Sequence, residues 1–477
     1  MKDPTFIFLK VPHEKWGTIM IEFTPNVQKG SDPLYIQLYK SIRLEIQKGH
    51  LPAHTKLPSQ RQLAKHLNVS RNTVDIAYQQ LSAEGYVKGV ERKGLFVVPL
   101  NQDLFFPEPK QGLFRTEETS APVTPTRFNF RYGEVDLEHF PYKQWRKYTL
   151  ESIHRENRDL FLYGYHQGEL GLRKEIAHYI YQSRGVRCLP EQIVVGAGTQ
   201  YLVDLLCKLI GTKVSYAMEE PGYNRIRETF QHAGVSLSPV PLDDQGIRVD
   251  KLYESNANVV YVTPSHQFPT GLLMPLSRRN ELLEWAKNVD GYIIEDDYDG
   301  EFRYVGLPIP ALQGIDHHEH VIYLGTFAKS LTPAARISYA VLPQRLLSHY
   351  SENFTHLQQT VSRFHQYTLE RFMESGDWWR HLNRTKTRYK SRQQTLLRAL
   401  KTHMPDLNVS GNDSGLHVIV EPNLPLSEEE LIRRAETLGV AVYPTSIYYA
   451  NEKPATHKYC SDLLAYRKKQ LKKAFNR

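Results

Sequence analysis

Four short apolar runs each stop at a cluster of small or polar residues, and this repetition constrains the fold more than any other feature of the chain. Ile193-Val194-Val195 stops at Gly196-Ala197-Gly198-Thr199-Gln200. Val259-Val260-Tyr261-Val262 stops at Thr263-Pro264-Ser265-His266-Gln267-Phe268-Pro269-Thr270-Gly271. Tyr292-Ile293-Ile294 stops at Glu295-Asp296-Asp297-Tyr298, and Val321-Ile322-Tyr323-Leu324 at Gly325-Thr326-Phe327-Ala328-Lys329-Ser330. Short apolar runs alternating with amphipathic stretches read as the buried strands of an α/β domain with a mostly parallel sheet. Ligands bind such sheets beyond the carboxyl ends of the strands, so the four motifs should converge. The first, followed by Leu202, Val203, Leu205 and Leu206, reads as strand, tight turn and helix start. Free N–H groups and the helix dipole make such a start a cradle for phosphate.

A chain of 477 residues is long enough for two or three domains. Residues 100–126 carry Pro107, Pro109, Pro122 and Pro125 among polar residues and read as a linker. It separates a domain at 31–99 from a larger one at 127–477. No apolar run approaches the roughly 18 residues of a membrane helix, so no membrane partner is expected. Thr5-Phe6-Ile7-Phe8-Leu9 is too short for a signal segment. Cys188, Cys207 and Cys460 are scattered, giving neither a disulfide framework nor metal-ligand spacing. A cytoplasmic protein without a metal site is expected.

The first domain is basic. Between Ser31 and Val98 stand ten Lys/Arg against five Asp/Glu, a footprint suited to nucleic acid. Asp32 reads as the cap of a first helix, with Pro33 in its first turn and Leu34, Leu38, Ile42 and Ile46 on one face up to Gly49. Ser59 and Gln62 form a capping-box pair for a second helix. Ser70 caps a third, in which Val74, Ala77, Tyr78 and Leu81 face inward. Arg71, Asn72 and Thr73 then point outward at its N-terminus, where a recognition helix meets DNA. Tyr86-Val87 and Leu95-Phe96-Val97-Val98 read as a two-stranded wing with Arg92 and Lys93 at its tip. The runs Leu57-Pro58-Ser59-Gln60-Arg61-Gln62-Leu63-Ala64, Val69-Ser70-Arg71-Asn72-Thr73-Val74 and Glu84-Gly85-Tyr86 resemble the GntR-type winged helix. That resemblance implies double-stranded operator DNA as partner, with Arg61, Ser70, Arg71, Thr73 and Gly94 at or near it.

In the second domain the strand-end residues suit one cofactor. A lysine at a strand end can form a Schiff base, a carboxylate can hold a pyridinium proton, a phenol can bond a ring hydroxyl and an arginine can grip a phosphate. Lys329, Asp296, Tyr298 and Arg336 are residues of these kinds. Residues 127–477 resemble fold-type I, class I aminotransferases. The whole chain resembles the MocR/GabR regulators, with Glu219-Glu220-Pro221-Gly222-Tyr223 and Glu295-Asp296-Asp297-Tyr298-Asp299 especially close. The implied fold is α/β: an N-terminal winged helix-turn-helix plus a fold-type I aminotransferase domain. The latter has a mostly parallel sheet, flanking helices and a small C-terminal α+β subdomain.

By this resemblance Lys329 carries pyridoxal 5'-phosphate, Asp296 pairs with the ring nitrogen, Tyr298 faces the ring hydroxyl and Tyr223 stacks on the ring. Gly198, Thr199, Gln200, Thr326 and Arg336 hold the phosphate. Tyr163 reaches the phosphate of a partner subunit, which implies a homodimer. Two departures stand out. Phe268 takes the place where aminotransferases carry an asparagine against the ring hydroxyl. Of the two arginines that grip the carboxylate of γ-aminobutyrate in the GabR type, one is matched by Arg225 and the other falls on Ile447, with Arg467 a substitute. Two functions remain open. One is a regulator sensing an amine, amino acid or pyridoxal compound through an external aldimine on the cofactor. The other is a working aminotransferase with a fused DNA-binding domain.

Overall fold

The computed structural model describes residues 32–100, 128–130, 133–304, 309–451 and 459–462. The chain divides into two compact units, Met1–Ala121 and Pro122–Arg477.

The first unit holds three helices, α1 (Leu34–Gln47), α2 (Gln60–Leu67) and α3 (Arg71–Ala83), and a hairpin of β1 (Val87–Val90) and β2 (Gly94–Val97). The hairpin pairs Val87 with Val97 and Val90 with Gly94, and its turn carries Arg92 at φ +58° and Lys93. Leu38, Ile42, Ile46, Leu63, Val74, Ala77, Tyr78 and Leu81 close one core. Ser59 and Gln62 make a reciprocal capping box, and Ser70 Oγ accepts from the Thr73 N–H at 3.1 Å. At α1 the sequence expectation fails. Pro33 is the cap residue, its carbonyl accepting from Ile36 and Gln37 N–H, and Leu34 is the first helical residue. Pro33 has ψ 145°, so it lies outside the helix; Asp32 is one position too early to cap and binds Lys40 at 2.5 Å instead.

In the second unit β3 (Phe128–Asn129) precedes a large eight-stranded sheet. Its members are β4 (Ile193–Gly196), β5 (Ser215–Glu220), β6 (Ser236–Asp243), β7 (Gly246–Ile247), β8 (Val259–Val262), β9 (Tyr292–Asp297), β10 (Val321–Thr326) and β11 (Ser338–Val341). They lie in the order β4-β11-β10-β9-β8-β5-β6-β7. The run from β10 through β9, β8 and β5 to β6 is parallel, and β11 lies antiparallel between β10 and β4. Apolar clusters cover the sheet. Tyr179, Phe327 and Trp378 belong to one, Leu202, Leu206 and Phe230 to a second, and Leu282 and Trp285 to a third. A 27-residue helix, Asp377–His403, leads to a four-stranded antiparallel sheet of β12 (Asn408–Ser410), β13 (His417–Glu421), β15 (Tyr443–Pro444) and β16 (Tyr459–Asp462). The short β14 (Val440–Ala441) pairs with β3. No helix among the described residues is long and apolar enough to cross a membrane.

Candidate functional site

On the first unit, Arg61, Arg71, Asn72, Arg92 and Lys93 are exposed. Thr73 is half-buried and its hydroxyl lies 2.8 Å from that of the exposed Ser70, so both residues serve the helix cap as well as the surface. Gly94 has φ +110°, a conformation L side chains rarely adopt, and a methyl there would lie 3.2 Å from the Lys56 side chain.

On the second unit the parallel pairing of β8, β9 and β10, and the two antiparallel pairings through β11 that give β4 the same direction, bring the ends of these four strands to one edge. Two of the polar motifs begin inside their strands: β9 runs through Asp297 and β10 through Thr326. Strand alternation then separates three consecutive carboxylates. Glu295 accepts from the Leu312 and Gln313 N–H groups at 2.7 and 2.9 Å, capping a short helix. Asp297 is held by Arg184 at 2.6 Å and by the Tyr323 hydroxyl at 2.7 Å. Asp296 faces the other way. It is 5 % exposed; its Oδ2 accepts from the Tyr261 hydroxyl and its Oδ1 is buried without a partner. Burial, reinforced by Asp297 and Asp299, pushes its carboxyl up to about 7, against the Tyr261 bond and the nearby Lys329 charge.

Lys329 is half-buried in the loop after β10, its Nζ 3.6 Å from the place a Gly133 methyl would occupy. At the end of β4, Gly198 has φ +99° and caps helix Thr199–Ile210. A methyl on Gly198 would lie 2.5 Å from Arg336 Nη2, which donates to the Ala197 carbonyl at 2.9 Å. An arginine thus stands against a bare helix start. Thr326 Oγ1 accepts from Ser338 and from the Ala328 N–H, and Gln200 donates to Thr229 at 3.5 Å. A cationic helix-start cradle, an amine and a buried carboxylate oxygen lacking a donor fit the phosphate, aldehyde carbon and ring nitrogen of pyridoxal phosphate.

Aromatic rings wall this edge. Phe268 meets Tyr223, Tyr298 and Tyr448 at centroid distances of 5.1, 6.1 and 4.8 Å. The Tyr298 hydroxyl donates to the His266 carbonyl at 2.9 Å and lies 3.1 Å from His266 Nδ1, which also meets Asp299 at 3.0 Å. Sequence reasoning singled out neither His266 nor Tyr261. The only signals were a histidine inside the Thr263–Gly271 motif and a tyrosine in a valine-rich strand. Arg225 is exposed. It is Arg227 that reaches the Ile447 and Tyr448 carbonyls, at 3.1 and 3.0 Å, while Ile447 is 47 % exposed. Tyr163 is 86 % exposed. Arg467 lies outside the described residues.

The sheet and the strand-end site define a pyridoxal-phosphate-binding protein built on the aminotransferase fold. The family "Aminotransferase class I and II" matches residues 126–457, and the family "Bacterial regulatory proteins, gntR family" matches residues 34–97. The chain belongs to the MocR type of transcription regulators, in which the two are joined. It is 41% identical over 436 residues to the HTH-type transcriptional regulator YdeL of Bacillus subtilis, covering 91% of this chain and 94% of that one. It is 33% identical to the probable rhizopine catabolism regulatory protein MocR of Rhizobium meliloti, covering 88% of each. The pyridoxine biosynthesis regulator PdxR of Corynebacterium glutamicum is 32% identical over 87% of this chain and 88% of its own. Among solved structures, kynurenine aminotransferase of Pyrococcus horikoshii superposes with a TM-score of 0.64 at 25% identity, over 74% of this chain and 89% of that one. The chain is therefore a pyridoxal-phosphate-dependent, DNA-binding regulator.

Proposed function

We propose that the unit at 31–99 binds operator DNA through Arg61, Ser70, Arg71, Asn72, Thr73 and Gly94. In this reading the unit at 127–477, joined to it by 100–126, senses an amine at Lys329. The cofactor, when bound, supplies an aldehyde that an amine can condense with and a ring that stabilises negative charge. Lys329 holds it covalently, and the unbonded Oδ1 of Asp296 keeps the ring nitrogen protonated. That buried oxygen, unbonded on a carboxylate whose other oxygen is held by Tyr261, is the observation that carries the reading. Gly198, Thr199, Gln200, Thr326 and Arg336 cradle the phosphate, Tyr223 lies against the ring and Tyr298 faces its hydroxyl. Exposed Phe161, Leu162, Tyr163 and Tyr165 support a homodimer in which Tyr163 serves the partner's site. A cytoplasmic setting follows from DNA as the partner.

The effector is an amine or amino acid, or a pyridoxal compound itself, and not γ-aminobutyrate. Ile447 offers no charge to a carboxylate and Arg227 is engaged with the backbone beside it, so of the two matched positions Arg225 remains as a carboxylate partner. Removing a charge-assisted hydrogen bond costs about 1.5–3 kcal/mol. The test is borohydride reduction followed by peptide mapping, then a panel of amines screened by absorbance and by footprinting on the upstream DNA. Label on Lys329 and a footprint that responds to one amine are expected. Label elsewhere, or multiple-turnover transamination with an unchanged footprint, overturns the reading.

A further inference from the structure

Away from the strand-end site, a cavity of about 350 Å³ opens between the segment His139–Gln144 and the first half of the helix Asp377–His403. Its charge is one-sided. Arg380, Arg384 and Arg388 stand at four-residue intervals and share one helix face. Lys143, His139 and His381 join them in the lining, with Asp377 the one acidic residue among the described lining residues. Asp377 is already engaged by Arg380 at 2.8 Å and by the Tyr148 hydroxyl at 2.9 Å. The nearby Asp136 is held by Arg392 and His139, each at 2.8 Å. Among the described residues no carboxylate pairs with Arg384 or Arg388. Like charges four residues apart on a helix repel, and a wall containing Phe140 and the buried Phe372 screens that repulsion less than open water would.

We propose that this cavity binds a small multivalent organic anion, a phosphate ester or a polycarboxylate, with Arg384, Arg388 and Lys143 as its charge partners. The volume falls at the lower end of the range for small-molecule sites, about 300–1,000 Å³. A concave site with aromatic walls suits a compact ligand better than the convex backbone of a duplex. The cavity also reaches the cofactor loop: His381 donates from Nε2 to the carbonyl of Ser330 at 2.8 Å, one residue beyond Lys329. An anion seated here lies one hydrogen bond from the segment that carries the cofactor lysine.

Pyrophosphate and citrate serve as the probes, titrated calorimetrically at constant ionic strength into the full-length protein. The cofactor is first reduced onto the chain, so that the Arg336 cradle is filled. One saturable site per chain is expected for at least one probe, and the one that binds identifies the phosphate or carboxylate class. The double variant Arg384→Gln/Arg388→Gln should weaken binding about ten- to a hundred-fold for each charge-assisted hydrogen bond it removes. Lys143→Gln, on a different element, should weaken it as well. Unfolding temperature and cofactor absorbance check that the variants fold. Three results overturn the proposal: no saturable binding of either probe, binding undiminished in both sets of variants, or variants that lose only salt-dependent duplex binding.

Discussion

Replacing Asp296 by asparagine keeps the side-chain shape and an acceptor for the Tyr261 hydroxyl but removes the charge. In the folded chain burial holds this carboxyl at about 7, against 3.8 for an ordinary aspartate. Between those values the unfolded chain has released a proton that the folded chain keeps. The contribution of this position to the stability of the cofactor-free protein therefore falls as pH rises from about 4 to 7 and levels off above. Each pH unit inside that window costs about 1.36 kcal/mol, so wild type loses about 3 kcal/mol at this position between pH 5 and pH 8. The variant lacks that slope. Its amide brings an unpaired buried N–H costing about 1–3 kcal/mol, but that cost is the same at every pH. The diagnostic quantity is thus the change in the stability difference. Relative to wild type, Asp296→Asn should gain about 3 kcal/mol from pH 5 to pH 8. Glu219, Glu295 and Glu301, also pushed up to about 7 by burial, are common to both proteins and cancel. Urea unfolding of cofactor-stripped protein, followed by fluorescence of the buried Trp285 and Trp378, provides the measurement. A stability difference that stays flat with pH would mean that Asp296 is ionised in the folded chain, and the burial argument would be wrong.

Three further outcomes are expected. Gly198→Ala places a methyl 2.5 Å from Arg336 at φ +99° and ψ 162°, so cofactor retention after gel filtration should fall at least about tenfold, given the roughly 1–3 kcal/mol of strain and the blocked approach of the phosphate; unchanged absorbance would move the phosphate elsewhere. Arg184→Ala leaves Asp297 buried without its charge partner, held by the Tyr323 hydroxyl alone among the contacts described, and should cost about 3–5 kcal/mol in urea unfolding, a loss that a value under about 1 kcal/mol would contradict. Arg71→Ala should weaken operator binding by about 1–3 kcal/mol in an anisotropy titration if it reads a base edge. Equal losses on unrelated DNA would assign it to phosphate instead.

What the sequence made legible was local or periodic. The capping residues Ser59 and Ser70 act on N–H groups three positions away, and the inward face of α3 follows from helical spacing alone. The strand-end motifs announced a shared edge because parallel strands leave no other common place for them. Pairings closed by the fold were hidden. Tyr261 reaches Asp296 across 35 positions, and inside a valine-rich strand a tyrosine reads as core. Arg227 meets Ile447 across 220 positions, so only Arg225, matched by resemblance, drew attention. The arginines of the His139–Gln144 cavity drew no attention in the sequence, since their facing segment lies more than 200 residues earlier. At α1 the error was one residue: spacing located the helix, but it could not say whether Pro33 lay inside it or before it.

The three consecutive carboxylates of β9 divide two tasks between the two faces of a single strand. Glu295 and Asp297 brace a helix and an arginine on one side, while Asp296 looks out on the other. A substitution at the outward position can silence the chain's chemistry and leave its architecture standing; one at either inward position undermines the architecture itself. Descendants of such a chain are therefore free to lose or retune their sensor while keeping the body that carries it.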